Sequence, residues 1–250
     1  RPGALDPPPD ELEAWLRVCI LTRGDLFPAH HGAEVKIVRT AEGLARALGQ
    51  PVAVVTDDRD AWLRFDGRSV ERIPYTPRVR AAEEWPWVVR GGRLAERLVQ
   101  RLGYPPEEAF LYRPLFDPAW WLRAAAVGRA HQVDVFQAEF PGYGVPAAVA
   151  ARLGWLVRQV RGRSGRPRSV IVQHNVEWDR LAEFGHTASG IRRAELAALA
   201  SVDDIVAVSL DDRRRMVAAG VPAGRVTVIP HGVDVARFRS ASAAGIRSRY

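Results

Sequence analysis

Side chains capable of acid–base or hydrogen-bonding chemistry follow two apolar runs of the sequence. Glu139 follows the run DVFQA, and His174, Asn175 and Glu177 follow the run SVIVQ. A histidine donates, accepts or carries a proton near neutral pH, and a carboxylate can orient a substrate hydroxyl. His174 is therefore a candidate functional residue. For Glu139, substrate contact and structural pairing with an arginine or a helix terminus are both open.

A glycine at the junction of an apolar run and a helical pattern predicts an anion-binding loop. The segment TRGDLFPAHHGAEVKIV places His31, Gly32 and Ala33 at this junction. Glycine lets the backbone approach a ligand closely, and the free N–H groups at a helix start favour an anion. His30 and His31 have no HExxH pattern and no cysteine partner beside them, so we expect no metal site there.

Ser209 follows another apolar run, DDIVAV, and precedes Asp212 by three residues. A serine at this spacing is typical of a helix N-cap. Capping is therefore the alternative to a place in a ligand-binding cleft. Gly220 and Pro222 predict the end of the helix that Ser209 begins.

A basic and aromatic region occupies the middle of the chain. Arg93, Arg97 and Arg101 are four residues apart and form one helical stripe. Four tryptophans flank the stripe: Trp85, Trp87, Trp120 and Trp121. Two interpretations remain open, a solvated helix face with tryptophans in the core or a helix that contacts anionic lipid. The chain shows no zinc-finger, helix-turn-helix or RNA-recognition motif, so nucleic acid is not an expected partner.

Short β-rich runs alternate with helical patterns from Leu16 onward, and several runs are apolar throughout. The predicted strands are Arg17–Thr22, Pro51–Thr56, Ser69–Pro74, Asp134–Ala138, Ser169–Gln173, Asp204–Ser209 and Arg225–Ile229. The predicted helices are Ala33–Leu48, Val88–Arg101, Ala119–Ala130, Val145–Val157, Asp179–Ala200 and Leu210–Ala219. Apolar strands indicate burial on both faces. We therefore expect an α/β fold with a doubly wound, mostly parallel Rossmann-like sheet, whose carboxyl edge carries the ligand-binding residues.

Composition excludes several classes of protein. The chain has 250 residues, of which 47% are hydrophobic and 26% charged, as in globular proteins rather than disordered or collagenous ones. No apolar run reaches the roughly 18–20 residues of a membrane-spanning helix, and no signal-peptide pattern begins the chain. Cys19 is the only cysteine, so an internal disulfide is excluded. We expect a cytoplasmic location.

The charge balance is basic. Lysine and arginine total 36 against 29 acidic residues, which gives a net charge of +7, and Lys36 is the only lysine. Arginine forms bidentate contacts with phosphates and carboxylates. The charge alone is compatible with nucleic acid, anionic lipid or phosphorylated substrates.

Three segments, taken in order, resemble the N-terminal domain of family 4 glycosyltransferases, which have the GT-B fold. They are ILTRGDLFPAHHGAEVKIV, VIVQHNVEW and SVDDIVAVSLDDRRRMVAAGVPAGRVTVIPHGVDVARF, and the resemblance covers residues 16–238. The third segment is the most specific. The chain differs from the family pattern at two places. His31 stands where the family has the first glycine of a Gly-Gly pair, and His231 stands where it has the asparagine of an Asn-Gly turn.

The resemblance implies a retaining enzyme that moves a sugar from a nucleotide-sugar donor to an acceptor hydroxyl, with no metal or other cofactor. The implied organisation is a proline-rich arm at 1–15, an acceptor-binding domain at 16–233 and the start of an interdomain linker at 234–250, without the C-terminal donor-binding domain. The implied site residues are His174 and Glu139 for catalysis, Gly32, His31 and Ala33 for the donor phosphates, and Asn175, Glu177, Ser209, Arg93 and Arg97 for the acceptor or the cleft.

The implied partners are a nucleotide sugar and a sugar or lipid-linked acceptor, which could also be phosphorylated. A peripheral contact with the anionic inner face of a membrane is a further expectation. Two alternatives stay open: a sugar-nucleotide epimerase of the same architecture, and a non-catalytic sugar- or anion-binding domain.

Overall fold

The computed structural model describes residues 16–24, 26–29, 32–105, 111–161, 165–185, 188–232 and 235. The proline-rich arm predicted at 1–15, the loop residue His31 and, apart from Val235, the linker predicted at 234–250 lie outside the described residues.

Within these described residues, eight strands form one sheet in the order β4-β3-β2-β1-β5-β6-β7-β8. Neighbouring strands are parallel except in the β2–β3 and β3–β4 pairs. The strands are β1 (Val18–Leu21), β2 (Val52–Val55), β3 (Ala61–Phe65), β4 (Val70–Pro74), β5 (Val135–Glu139), β6 (Arg168–Gln173), β7 (Asp204–Ala207) and β8 (Val226–Val228).

Helices connect the parallel strands. They are α1 (Gly32–Leu48), α2 (Pro77–Glu83), α3 (Pro86–Arg101), α4 (Arg113–Phe116), α5 (Pro118–His131), α6 (Gly144–Val160), α7 (Glu177–Glu183), α8 (Ala188–Ser201) and α9 (Leu210–Ala218). Short 3₁₀ turns lie at Pro141–Tyr143 and Ala223–Arg225.

The central strands are buried on both faces, as their continuous apolar sequences predict. Every residue of β1 and β2 is buried. Helix α1 packs on one face through Ile37 and Ala41, and helices α5, α6 and α8 cover the other face. The doubly wound, mostly parallel α/β fold is therefore confirmed.

The sheet ends in an antiparallel hairpin that the sequence analysis predicted only in part. Strand β3 was not predicted, and β4 was. The Asp66 carboxylate accepts the N–H groups of Arg68 and Ser69 at 2.8 and 2.6 Å and fixes the turn. Strand β4 is mostly exposed. A polar edge strand lacks the apolar run that marks a buried strand, so this hairpin is hard to find in sequence.

Two helical predictions were incomplete. The single helix predicted at Asp179–Ala200 is two helices, α7 and α8, and Gly185 between them has a φ of 81° that favours glycine. Helices α2 and α4 were not predicted because each is short and has little apolar periodicity. Helices α3 and α5 begin one or two residues earlier than expected, each at a proline.

The tryptophans divide between the core and the surface. Trp120 is buried and packs edge-on against Tyr143. Trp85 and Trp87, at the start of α3, are each 52% exposed. No described helix is both long and apolar enough to cross a bilayer.

Candidate functional site

The candidate site lies at the topological switch point of the sheet. Strand β1 pairs with β2 on one side and with β5 on the other, so successive connections run in opposite directions from it. Such switch points bind ligands at the carboxyl ends of the strands. Helix α1 begins here after β1, Glu139 ends β5, and His174 follows β6.

Three charged or polar side chains meet at this point, and we call them the Lys36–Glu139–His174 triad. Lys36 Nζ lies 2.9 and 2.7 Å from the two carboxylate oxygens of Glu139. His174 Nε2 lies 2.6 Å from Glu139 Oε2. The triad joins the first turns of α1 to the ends of β5 and β6, so it brings together two of the predicted site residues.

Glu139 is placed differently from a residue that orients a substrate hydroxyl. Its side chain is 0% exposed, and Oε1 accepts a further hydrogen bond from Gln137 Nε2 at 2.6 Å. Burial opposes ionisation, but the His174 hydrogen bond and the Lys36 charge outweigh it and lower the pKa of Glu139. Both oxygens therefore accept hydrogen bonds within the protein, and the catalytic role of Glu139 stays a prediction.

His174 is held on two sides. Its side chain is 8% exposed, and its ring stacks on Phe140 at a centroid distance of 4.5 Å. Phe140 has a φ of 81°, which is unusual for a residue other than glycine. Among the described residues, Nδ1 has no hydrogen-bond partner. The remaining nitrogen is thus available to a ligand.

A second imidazole lies beside the triad. The rings of His231 and His174 are 5.5 Å apart. Partial burial and the nearby His174 and Lys36 lower the pKa of His231, with Glu139 opposing them. His231, in the turn that the sequence analysis singled out, therefore belongs to the same site.

The loop after β6 is anchored by a glutamate that sequence analysis missed. Glu195 of α8 is fully buried and accepts the backbone N–H groups of Glu177 and Trp178 at 3.2 and 3.1 Å. It also accepts a hydrogen bond from Gln173 Nε2. Burial, and then the charge of Glu177, raise the pKa of Glu195 well above its usual range.

Of the polar residues predicted after β6, only His174 joins the triad. Asn175 is exposed, and the N-cap of α7 is Val176, so Asn175 does not cap the helix. Glu177 is buried and pairs with Arg180 at 2.6 Å. Asn175 Nδ2 also donates to Glu177 Oε1 at 3.4 Å, and the place of Glu177 in a ligand-binding cleft stays a prediction.

Ser209 is a helix cap. Its Oγ accepts the N–H of Asp212 at 3.0 Å and donates to the Asp212 carboxylate at 2.5 Å. Both hydrogen-bonding functions of the hydroxyl are thereby used at the start of α9. The structure favours the capping interpretation over a place in a ligand-binding cleft.

The predicted donor-phosphate loop is described in part. Gly32 is the first residue of α1 and is exposed, and a Cβ built on it would meet no atom within 4 Å. Ala33 packs partly against the core. Open space at a helix N-terminus, one turn from Lys36, leaves room for an anion beside the triad.

Arg93 and Arg97 lie on α3, apart from the triad, and both are exposed. Arg93 lines a cavity of about 410 Å³ beside the β2–β3 turn. The cavity lining carries both arginines and carboxylates: Arg59, Arg80, Arg93, Arg113, Asp60, Glu83, Glu84, Glu96 and Asp117. Mixed charge of this kind suits a polar, hydroxyl-rich ligand as well as an anion.

Within the described part of the chain, no group of three or more His, Cys, Asp or Glu side chains could hold a metal ion. The triad is instead a set of hydrogen-bonding groups around one carboxylate. Its chemistry is that of holding a hydroxyl or an anion.

A doubly wound sheet with a polar cluster at its switch point defines a Rossmann-like ligand-binding domain. The model of Glycosyltransferase Family 4 matches residues 30–237. The chain therefore belongs to glycosyltransferase family 4. No curated protein matches the sequence.

Solved structures that are similar to this chain have low sequence identity to it. Sucrose-phosphate synthase from Thermosynechococcus elongatus is 15% identical with a TM-score of 0.54, over 94% of this chain and 53% of that chain. HepE from Anabaena, solved with UDP and glucose, is 16% identical with a TM-score of 0.49, over 94% and 50%. The catalytic domain of starch synthase IV from Arabidopsis thaliana, bound to ADP and acarbose, is 12% identical with a TM-score of 0.48, over 92% and 54%. The chain thus spans about half the length of these proteins.

Proposed function

We propose that the chain is the acceptor-binding half of a retaining glycosyltransferase, which moves a sugar from a nucleotide-sugar donor to an acceptor hydroxyl. The observation that carries the proposal is the position of His174 at the switch point of a family 4 domain, with a ring nitrogen that has no partner among the described residues. The alternative of a domain that only binds sugars or anions has no separate observation in its favour.

The chemistry of the site agrees with sugar transfer. Departure of a nucleoside diphosphate leaves negative charge on the phosphates and positive charge on the sugar. The exposed N-terminus of α1 at Gly32 offers its N–H groups to the negative charge on the phosphates. His174 Nδ1 offers a hydrogen bond to a hydroxyl of the sugar or of the acceptor. No cofactor or metal is required in this scheme.

A donor-binding domain outside the chain completes the proposal. The chain covers 53% of the sucrose-phosphate synthase structure whose fold it shares. Within the described residues, its site offers one helix N-terminus and one imidazole pair to a large, doubly charged donor. We therefore propose that residues 16–233 form the acceptor domain and that the linker begins at residue 234.

The proposal is tested by isothermal titration calorimetry and by product analysis. We expect the 250-residue chain to bind UDP-glucose, ADP-glucose and GDP-mannose no tighter than about 1 mM, and the intact gene product to bind one of them at micromolar concentration. With an acceptor, the intact protein should release nucleoside diphosphate and form a glycoside that keeps the anomeric configuration. Micromolar donor binding by the chain alone contradicts the division into halves, and epimerised donor without a glycoside identifies the epimerase alternative.

We also propose that α3 places the protein, from the cytoplasm, on the anionic inner face of a membrane, where a lipid-linked or phosphorylated acceptor would lie. Arg90, Arg93, Arg97 and Arg101 are exposed on α3, on the side away from its buried residues. Trp85 and Trp87 are exposed at its start. Basic side chains beside interfacial tryptophans are typical of helices that lie on anionic bilayers.

Sedimentation with vesicles measures this contact. We expect the chain to bind vesicles of phosphatidylglycerol and phosphatidylcholine, and not phosphatidylcholine alone. Because each basic side chain contributes about 1 kcal/mol near such a surface, the double variant Arg93→Glu/Arg97→Glu should bind at least tenfold more weakly.

The matched control is Arg152→Glu/Arg161→Glu, which changes two exposed arginines on and just after α6. An equal loss of binding in the control would show that net charge, and not α3, drives adsorption. Equal binding of the wild type to both kinds of vesicle would contradict the proposal.

A further inference from the structure

The only lysine of the chain lies in the candidate site. Lys36 is on the second turn of α1, its side chain is 22% exposed, and its ammonium group contacts both oxygens of Glu139. All the other residues counted in the Lys+Arg total are arginines. A lysine carries its charge at one point and can lie between two oxygens of a buried carboxylate.

The geometry of the triad constrains the protons on His174. An ionised carboxylate only accepts hydrogen bonds, so the 2.6 Å contact requires a hydrogen on His174 Nε2. Lys36 already neutralises the charge of Glu139. A second proton on the imidazole would leave the triad with an uncompensated positive charge in a buried position, next to the ring of His231.

We propose that Lys36 and Glu139 are positioning residues that hold His174 as the neutral Nε2–H tautomer and thereby present Nδ1 as a hydrogen-bond acceptor to a substrate hydroxyl. The Glu139 oxygens fix the Nε2 end of the ring, and Phe140 fixes its plane. Only the identity of the hydroxyl rests on the proposed function. The tautomer is a property of this chain alone.

The groups around His174 and its partner Glu139 come from α1, from β5 and from the loops after β5 and β8. Lys36 on α1 and Gln137 on β5 contact Glu139. Glu139, Phe140 and His231 lie against His174 itself. Among these groups, Glu139 is the acceptor that can select the Nε2–H form. Lys36 is the cation that makes a second proton on the ring unfavourable.

Nitrogen-15 NMR of the histidine-labelled 250-residue chain at pH 7.5 tests the proposal. The neutral Nε2–H, neutral Nδ1–H and doubly protonated forms have distinct ring ¹⁵N shifts, and His174→Ala assigns the signal. We expect the wild type to show the Nε2–H form. In Glu139→Gln, the Lys36 ammonium contacts the amide oxygen, which leaves the amide NH₂ facing His174. Because the NH₂ donates to Nε2, the Nδ1–H form should replace the Nε2–H form.

A second variant probes the cation. In Lys36→Met the buried carboxylate of Glu139 has lost its positive partner, and a charged imidazole at 2.6 Å is the group that can replace it. We therefore expect His174 to become doubly protonated. The matched control is Arg39→Met, which removes a cation of α1 that pairs with Glu42 on the surface, and this variant should keep the wild-type signal.

An Nδ1–H or doubly protonated His174 in the wild type overturns the proposal. So does a wild-type signal that persists in both Glu139→Gln and Lys36→Met. These outcomes are independent of sugar transfer: if the three forms are found as expected but the intact gene product transfers no sugar, the proposed function fails and the positioning roles remain.

Discussion

The His174→Ala variant of the intact gene product is expected to transfer sugar about 100-fold more slowly than the wild type. Removal of one preorganised hydrogen-bonding group at a reacting centre costs about 10²–10³ in rate. His174 is such a group because Glu139 and Phe140 hold its ring while Nδ1 stays unpaired among the described residues. Initial rates at saturating donor and acceptor measure the loss in kcat.

His131→Ala is the control for this experiment. His131 ends α5 on the side where the strands begin, whereas the triad lies where they end. Its ring packs edge-on against Trp62. Its removal should leave kcat within about twofold. A wild-type rate in His174→Ala would remove His174 from the transfer reaction, whatever the effect of the control.

The Gly142→Ala variant is expected to lose about 3 kcal/mol or more of unfolding free energy. A Cβ on Gly142 would overlap the carbonyl oxygen of Leu111 and lie 2.9 Å from Tyr112 Cα. Both atoms belong to the backbone, so the clash is relieved only by separating the 3₁₀ turn after β5 from the segment before α4. Urea denaturation of the 250-residue chain measures the loss.

Gly43→Ala provides the matched control within α1. A Cβ at Gly43 meets no atom within 4 Å outside its own helix backbone, and alanine is favoured over glycine in a helix by about 0.5–1 kcal/mol. We expect this variant to be stabilised. Equal stabilities of Gly142→Ala and the wild type would show that the turn can move away from Leu111 at little cost.

The fold could be predicted from sequence because its central strands are chemically simple. VCIL and VAVV are apolar at every position, and every position of β1 and β2 is buried. The β3–β4 hairpin could not be found in the same way, since Asp66 and exposed side chains specify it rather than an apolar run. Gly185 divides the predicted long helix through a backbone angle that apolar periodicity does not report.

The site was predictable to the extent that strand ends identify it. His174 and Glu139 were found because each follows an apolar strand. The sequence identified Lys36 as the only lysine but did not predict its place in the site. Helical periodicity does not show which turn of a helix faces a strand end 103 residues away. Glu195 was missed for the same reason, as it reaches the α7 backbone from the middle of another helix.

The separations within the triad also have a consequence for the order of folding. Lys36 and Glu139 are 103 residues apart, and Glu139 and His174 are 35 residues apart. Long-range parallel pairing forms late because the entropy of closing the intervening chain must be overcome first. During synthesis, α1 therefore leaves the ribosome with an unpaired Lys36, and the ammonium group meets its carboxylate only after β5 has been made and added beside β1. The binding surface around His174 thus forms only after both β5 and β6 have been made and added to the sheet.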